Sequence, residues 1–161
     1  MPEPADKLTL LERRELEARI VGPLVRGFIE ELGAERALAI VRRVVSELAR
    51  EAGAERARAL GDASLAAFGS LLEQWRAGGA LEIQILRQDD EHLDFNVTRC
   101  RFAEMYRALG LADLGASLSC CRDFSLVEGF NPALKLVRTQ TLMEGANHCD
   151  FRFHRGDAKL R

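Results

Sequence analysis

The sequence predicts an α+β chain, with a helical N-terminal half packed on a small antiparallel sheet built from two β-hairpins. Three observations carry this. Apolar residues recur at three- and four-residue spacing through the first half. The period then changes to two in "LEIQI" and "HLDFNV", and again in "LKLVRTQTLM" and "HCDFRFH". The order helices, hairpin, helices, hairpin places helices on one face of an antiparallel sheet. With 161 residues, one domain over 1–161 is the default, long enough to bury a core without staples. Its helical part spans 1–78, and a hairpin-helix-hairpin part over 79–155 carries the candidate site.

The first helix opens at a capping box. The Thr9 hydroxyl accepts from a free amide and Glu12 reaches back to the Thr9 amide. Leu16, Ile20, Leu24 and Phe28 share one face of it. Gly22 and Pro23 predict a kink, because proline lacks an amide hydrogen and clashes with the preceding turn. Gly33 is the expected C-cap. A second helix over about 34–60 carries Ala37, Val41, Val44, Leu48 and Ala52 as an amphipathic stripe, with a break expected near Gly53. Asp62 is an N-cap candidate for a third helix burying Leu65, Phe68, Leu72 and Trp75, which ends at Gly78 and Gly79.

The first hairpin turns at "RQDDE". A short helix, "CRFAEMYRALG", comes next with Phe102, Met105 and Leu109 inward and Gly110 as its stop. "LADLGASLSCCRDFSLVEGF" reads as helix and then loop, with "SCCRDF" near a helix end. Asn131 and Pro132 mark a turn. The second hairpin turns around Glu144, Gly145, Ala146 and Asn147.

Composition excludes several function classes. The formal net charge is −2, and the N-terminal charges alternate in sign, so nothing draws the chain to nucleic acid. No run of about 18 apolar residues predicts a membrane span. The first twenty residues carry no apolar leader core, so a cytoplasmic location is expected. The four cysteines are then expected to be thiols or ligands rather than disulfides.

Three clusters carry chemistry. In "HCDFRF", Cys149 shares a face with Phe151 and Phe153, so it points to the core while His148 and Asp150 point away. In "SCCRDF", thiols sit beside Arg122 and Asp123, a cation that lowers a thiol pKa and a carboxylate that moves protons. In "NPALKLVRTQT", Arg138, Thr139, Gln140 and Thr141 interrupt a strand with polar groups. Arg138 there requires a partner, either a substrate carboxylate gripped bidentately or a buried acid such as Asp123. Cys100, Cys121 and Cys149 with Asp123 or His148 also make a conceivable tetrahedral set for zinc.

The stretch from "FNVTRC" to "NHCDFR" resembles the L-2-amino-thiazoline-4-carboxylic acid hydrolase family. The matching elements are Cys100, Cys121 and Asp123, the Asn131–Pro132 turn, Arg138, Thr139, Thr141 and Leu142, and Gly145 ahead of Cys149, Asp150, Phe151 and Arg152. The resemblance implies a hydrolase that opens a small cyclic amidine at a carbon–nitrogen bond, toward a cysteine derivative. It points to Cys121, Asp123 and Cys149 as catalytic residues and to Asn131, Arg138, Thr139 and Thr141 as substrate contacts. Two mechanisms fit: attack by a Cys121 or Cys149 thiolate without a cofactor, or water activated by zinc or iron on Cys100, Cys121, Cys149 and Asp123. A small-molecule-binding or sensor domain without turnover is the alternative. A small-molecule partner is expected, with no nucleic acid or membrane, and the N-terminal helices offer a homodimer seam.

Overall fold

The computed structural model describes residues 8–156. The first seven residues of the segment read for a leader therefore lie outside the described residues, as do both ends of the 1–161 span. Helix α1 runs Leu10–Leu32, α2 Ala34–Leu60, α3 Leu65–Gly69, α4 Leu72–Arg76, α5 Arg101–Ala108 and α6 Arg122–Phe130. Strands β1 (Leu81–Gln88), β2 (His92–Cys100), β3 (Leu134–Val137) and β4 (Cys149–Arg155) form one antiparallel sheet in the order β1-β2-β4-β3. The fold is α+β, as the change of period implies.

Local signals account for most boundaries. The Thr9 capping box forms in both directions, and Gly33 closes α1 at φ 80°. Ser64, not Asp62, caps α3 through the Ala67 amide, and Asp62 instead accepts from the Ser64 amide. The expected third helix divides into α3 and α4, yet Leu65, Phe68, Leu72 and Trp75 are all buried as the pattern required.

Several further expectations are corrected. Helix α1 passes through Pro23, and α2 passes through Gly53. At both places a glycine lets another element pack close. A Cβ at Gly22 would overlap the Leu111 side chain, and one at Gly53 would overlap the Leu126 carbonyl of α6. The glycines thus serve packing rather than breaking the helix.

The Leu16, Ile20, Leu24 and Phe28 face of α1 is exposed, and so are Val44 and Leu48 of α2. The buried faces are instead lined by small residues: Ala18, Gly22 and Val25 on α1, and Ala37, Val41, Ala49 and Gly53 on α2.

"SCCRDF" does not end a helix. A π-helical turn over Ala116–Cys120 leads straight into α6. Nor does the second hairpin extend through Thr141, because β3 stops at Val137. The Asp150 carboxylate accepts from the amides of Thr139 and Gln140, both 2.9 Å away, and from the Thr139 hydroxyl at 2.6 Å. It satisfies backbone groups that a sheet ladder would otherwise serve.

Two apolar cores result. One joins α3, α4 and α6 to the sheet through Phe68, Trp75, Phe95, Phe130, Phe151 and Phe153. The other joins α1, α2 and α5 through Ala18, Val25, Val41, Met105, Tyr106 and Leu118. Cys100 packs against both.

Candidate functional site

A cavity of about 120 Å³ is lined by residues of both cores. Trp75, Leu81, Val97, Phe102 and Phe151 form much of its apolar wall. Its polar wall is unusual: Cys100, Cys120, Cys149, Asp123 and four arginines, Arg14, Arg56, Arg122 and Arg138.

The π-helical turn determines which thiol of "SCC" faces this space. The Cys121 amide bonds back five residues to the Ala116 carbonyl at 3.0 Å. That extra residue in the turn rotates the chain beyond it. Cys120 lines the cavity, whereas Cys121 lies off its wall with its Sγ donating to the Ser117 carbonyl at 3.0 Å. The Cys120 carbonyl is left to accept from Arg138 Nη2 at 3.0 Å.

Arg138 is the first residue beyond β3. Its Nη1 donates to Asp123 Oδ2 at 2.5 Å, and its guanidinium lies 4.9 Å from the Phe124 ring centroid and 5.1 Å from that of Phe151. Only 6% of the Arg138 side chain is accessible, against 26% for Asp123. Of the two partners that the sequence left open for Arg138, the structure supplies the buried acid. Burial pushes the Asp123 carboxyl above its ordinary value, although Arg138 pulls it back.

The thiols are held protonated at neutral pH. Burial pushes Cys149 up to about 11, even though its sulfur accepts from the Leu142 amide at 3.2 Å. Burial raises Cys120 further, with Asp123 adding to it, and also raises Cys100, whose sulfur caps α5 at the Ala103 amide.

The structure therefore brings Cys100, Asp123, Arg138 and Cys149 together around one cavity and adds Cys120. It does not bring Cys121 there. Asn131 holds the turn before β3, donating to the Ala63 carbonyl and accepting from the Ala133 amide. Thr139 is bonded to Asp150, and Thr141 caps the Leu142–Glu144 turn and bonds Glu144. These three shape the loop that carries Arg138. The metal set does not fit: Cys121 faces elsewhere, Asp123 is engaged by Arg138, and among the described residues no group of three or more His, Cys, Asp and Glu side chains is arranged to hold an ion.

The sequence reading passed over Arg14 and Arg56 as solvated. A signal was present. Arg14 lies four residues before Ala18, and Arg56 four after Ala52, on the small-residue faces that turn inward.

The sequence pattern described as L-2-amino-thiazoline-4-carboxylic acid hydrolase matches residues 13–153. No curated protein matches the chain. A solved structure similar to it is the phenol-responsive sensory domain of the transcription activator PoxR with phenol. It is 18% identical, with a TM-score of 0.49, over 84% of this chain and 72% of that one. No helix among the described residues is long and apolar enough to cross a membrane.

Proposed function

This chain belongs to the L-2-amino-thiazoline-4-carboxylic acid hydrolase family, and on that premise we propose that it hydrolyses a carbon–nitrogen bond in a small cyclic amidine or amide held in the cavity. The observation that carries the reading is the Asp123–Arg138 pair on the cavity wall beside Cys120 and Cys149. A carboxyl that burial raises above its ordinary value is the better base, and it can take and return a proton.

In this reading Asp123 takes a proton from water as the water oxygen bonds to the amidine carbon. Asp123 passes that proton to the ring nitrogen, then takes the proton of the new hydroxyl and returns it to the same nitrogen as the ring carbon–nitrogen bond breaks and the carbonyl forms. The net change is addition of one water, which opens a thiazoline ring toward a cysteine derivative. Arg138 is a positioning residue that fixes Asp123. A covalent variant, in which Cys149 attacks after Asp123 takes its proton, has the support of their shared cavity. Cys149→Ser separates the two, since retained turnover selects water and lost turnover with intact binding selects the thiol.

The test is incubation with 2-amino-thiazoline-4-carboxylic acid in ¹⁸O-labelled water. Mass spectrometry should find an opened product carrying one labelled oxygen. Saturable binding of the acid with no oxygen uptake selects the second reading, a binding or sensor domain without turnover. The protonated state of the cavity thiols favours that second reading over any mechanism needing a resting thiolate.

A cytoplasmic site of action accords with four free cysteines. Leu16, Ile20, Leu24, Phe28 and Leu32 leave an apolar stripe winding along α1 open to solvent, the kind of surface that marks an interaction site. We assign that face to a second copy of the chain. Sedimentation equilibrium should give a dimer, and Ile20→Glu a monomer.

A further inference from the structure

Three of the four cavity arginines have no acid of their own in the cavity. Arg14 comes from α1, Arg56 from α2 and Arg122 from the start of α6, so three separate helices deliver guanidinium groups to one wall. Arg138 is already matched by Asp123. Arg14 is bonded through Nη1 to Glu17, which does not line the cavity.

Arg56 donates from Nη1 to Gln74 at 3.3 Å, while its buried Nε has no partner among the described residues. The Arg122 side chain reaches the same wall without an ion pair to any described residue. Burial lowers the pKa of Arg56 and of Arg122, and repulsion from Arg14 adds to it in both, with Glu55 and Glu17 offsetting part of it, so Arg14 sits within electrical reach of the other two. A buried donor left unpaired and a group of like charges both cost stability unless a ligand meets them.

We propose that Arg14, Arg56 and Arg122 form an oxyanion wall that grips the carboxylate of the ligand, leaving its ring to face Asp123 and the thiols. The inference rests on the hydrolase reading for the identity of the ring, and not for the anion. It replaces Arg138 as the carboxylate grip with residues mostly from the helical half. Guanidinium groups suit the task because their planar donors match carboxylate geometry. The apolar wall around them suits a compact ring.

Trp75 makes this testable without turnover. It is the chain's one tryptophan and lines the cavity, so its fluorescence reports occupancy. The probes are 2-amino-thiazoline-4-carboxylic acid and 2-amino-thiazoline, which lacks the carboxylate. The acid should bind at least about tenfold more tightly, the worth of one charged hydrogen bond. Arg122→Gln and Arg56→Gln should each weaken the acid by about tenfold and leave the neutral ring unchanged.

Neither substitution should lower the melting temperature of the ligand-free protein, because each relieves repulsion. A structural arginine would behave in the opposite way. Equal affinity for acid and neutral ring, equal weakening of both by the variants, or no saturable signal from the acid overturns the wall. The outcomes also separate this inference from the hydrolase reading. Discrimination without water addition keeps the wall and removes the hydrolase. Water addition without discrimination does the reverse.

Discussion

Arg138 leaves the sheet one residue beyond β3 and sets its Nη1 2.5 Å from Asp123 Oδ2 at the start of α6. This contact ties the second hairpin to the helix just past the π-helical turn. It also governs how the site responds to substitution, because neither charge forms another ion pair among the described residues. The Cys120 carbonyl and the rings of Phe124 and Phe151 occupy the remaining surface of the guanidinium.

Arg138→Met should destabilise the protein by about 3–5 kcal/mol, since it leaves Asp123 uncompensated. The double variant Asp123→Leu with Arg138→Met should recover most of that loss, because no charge is then stranded. Arg138→Lys should not rescue, as an ammonium supplies neither the fork nor the flat faces that stack on the two rings. Urea unfolding of the three variants measures this.

Cys149 makes stability depend on alkaline pH. Its folded-state pKa, about 11, lies above the unfolded thiol's value near 8.5. The sign depends on which state keeps the proton. The thiol's contribution is fully present below the unfolded value and is lost as pH rises through the folded one. Wild type should therefore lose melting temperature between pH 9 and about 11 more steeply than Cys149→Ser. Iodoacetamide labelling of Cys149 in the folded protein should stay slow at pH 8.

Asp150 acts in the opposite direction. Burial raises its pKa, but the hydrogen bonds from Thr139 and Gln140 outweigh burial and hold it below the ordinary value. Its contribution is present above the usual carboxylate pKa of about 3.9 and is lost as pH falls below it. Asp150→Asn should cost about 1–2 kcal/mol at pH 7, since an amide presents one acceptor oxygen to three donors. The deficit relative to wild type should shrink on acidification, which thermal melts across the acid range will show.

Glycines at the α2–α6 crossing allow backbone-to-backbone approach. A Cβ at Gly129 would overlap the Arg50 carbonyl, and one at Gly53 the Leu126 carbonyl. Gly129→Ala should cost about 3 kcal/mol or more, because a rigid backbone and not a side-chain tip must move. Gly27→Ala meets nothing within 4 Å in the interior of α1 and should stabilise by about 0.5–1 kcal/mol. Denaturation midpoints of the pair give the contrast.

The elements of this fold were legible wherever a signal is local. The Thr9–Glu12 box, the hairpin alternation and the inward Phe151 and Phe153 are set by neighbours in sequence. The apolar stripe of α1 misled because periodicity finds an apolar face without saying what covers it. Ala18, Gly22 and Val25 turned inward instead, since small residues let α1 come close to Leu111.

At the site, Cys121, Asp123, Arg138 and Cys149 were singled out together from the sequence, and three of them line one cavity while Cys121 does not. The choice between Cys120 and Cys121 was not legible, because one extra residue in a π-helical turn swaps their directions and leaves no mark in the pattern. Arg14 and Arg56 were hidden among interleaved charges. Their role depends on three helices meeting, which only the fold supplies.

The proposed hydrolysis depends on proton transfer by Asp123 within this cavity. The most direct measurement is the initial rate of ring opening of 2-amino-thiazoline-4-carboxylic acid by wild type and Asp123→Asn, with Trp75 fluorescence recording binding in both. Asparagine keeps an acceptor for Arg138 but cannot take up the proton. The expected result is a rate loss on the order of 10²–10⁴-fold with the acid still bound. Asp123→Asn turning over at the wild-type rate would contradict it.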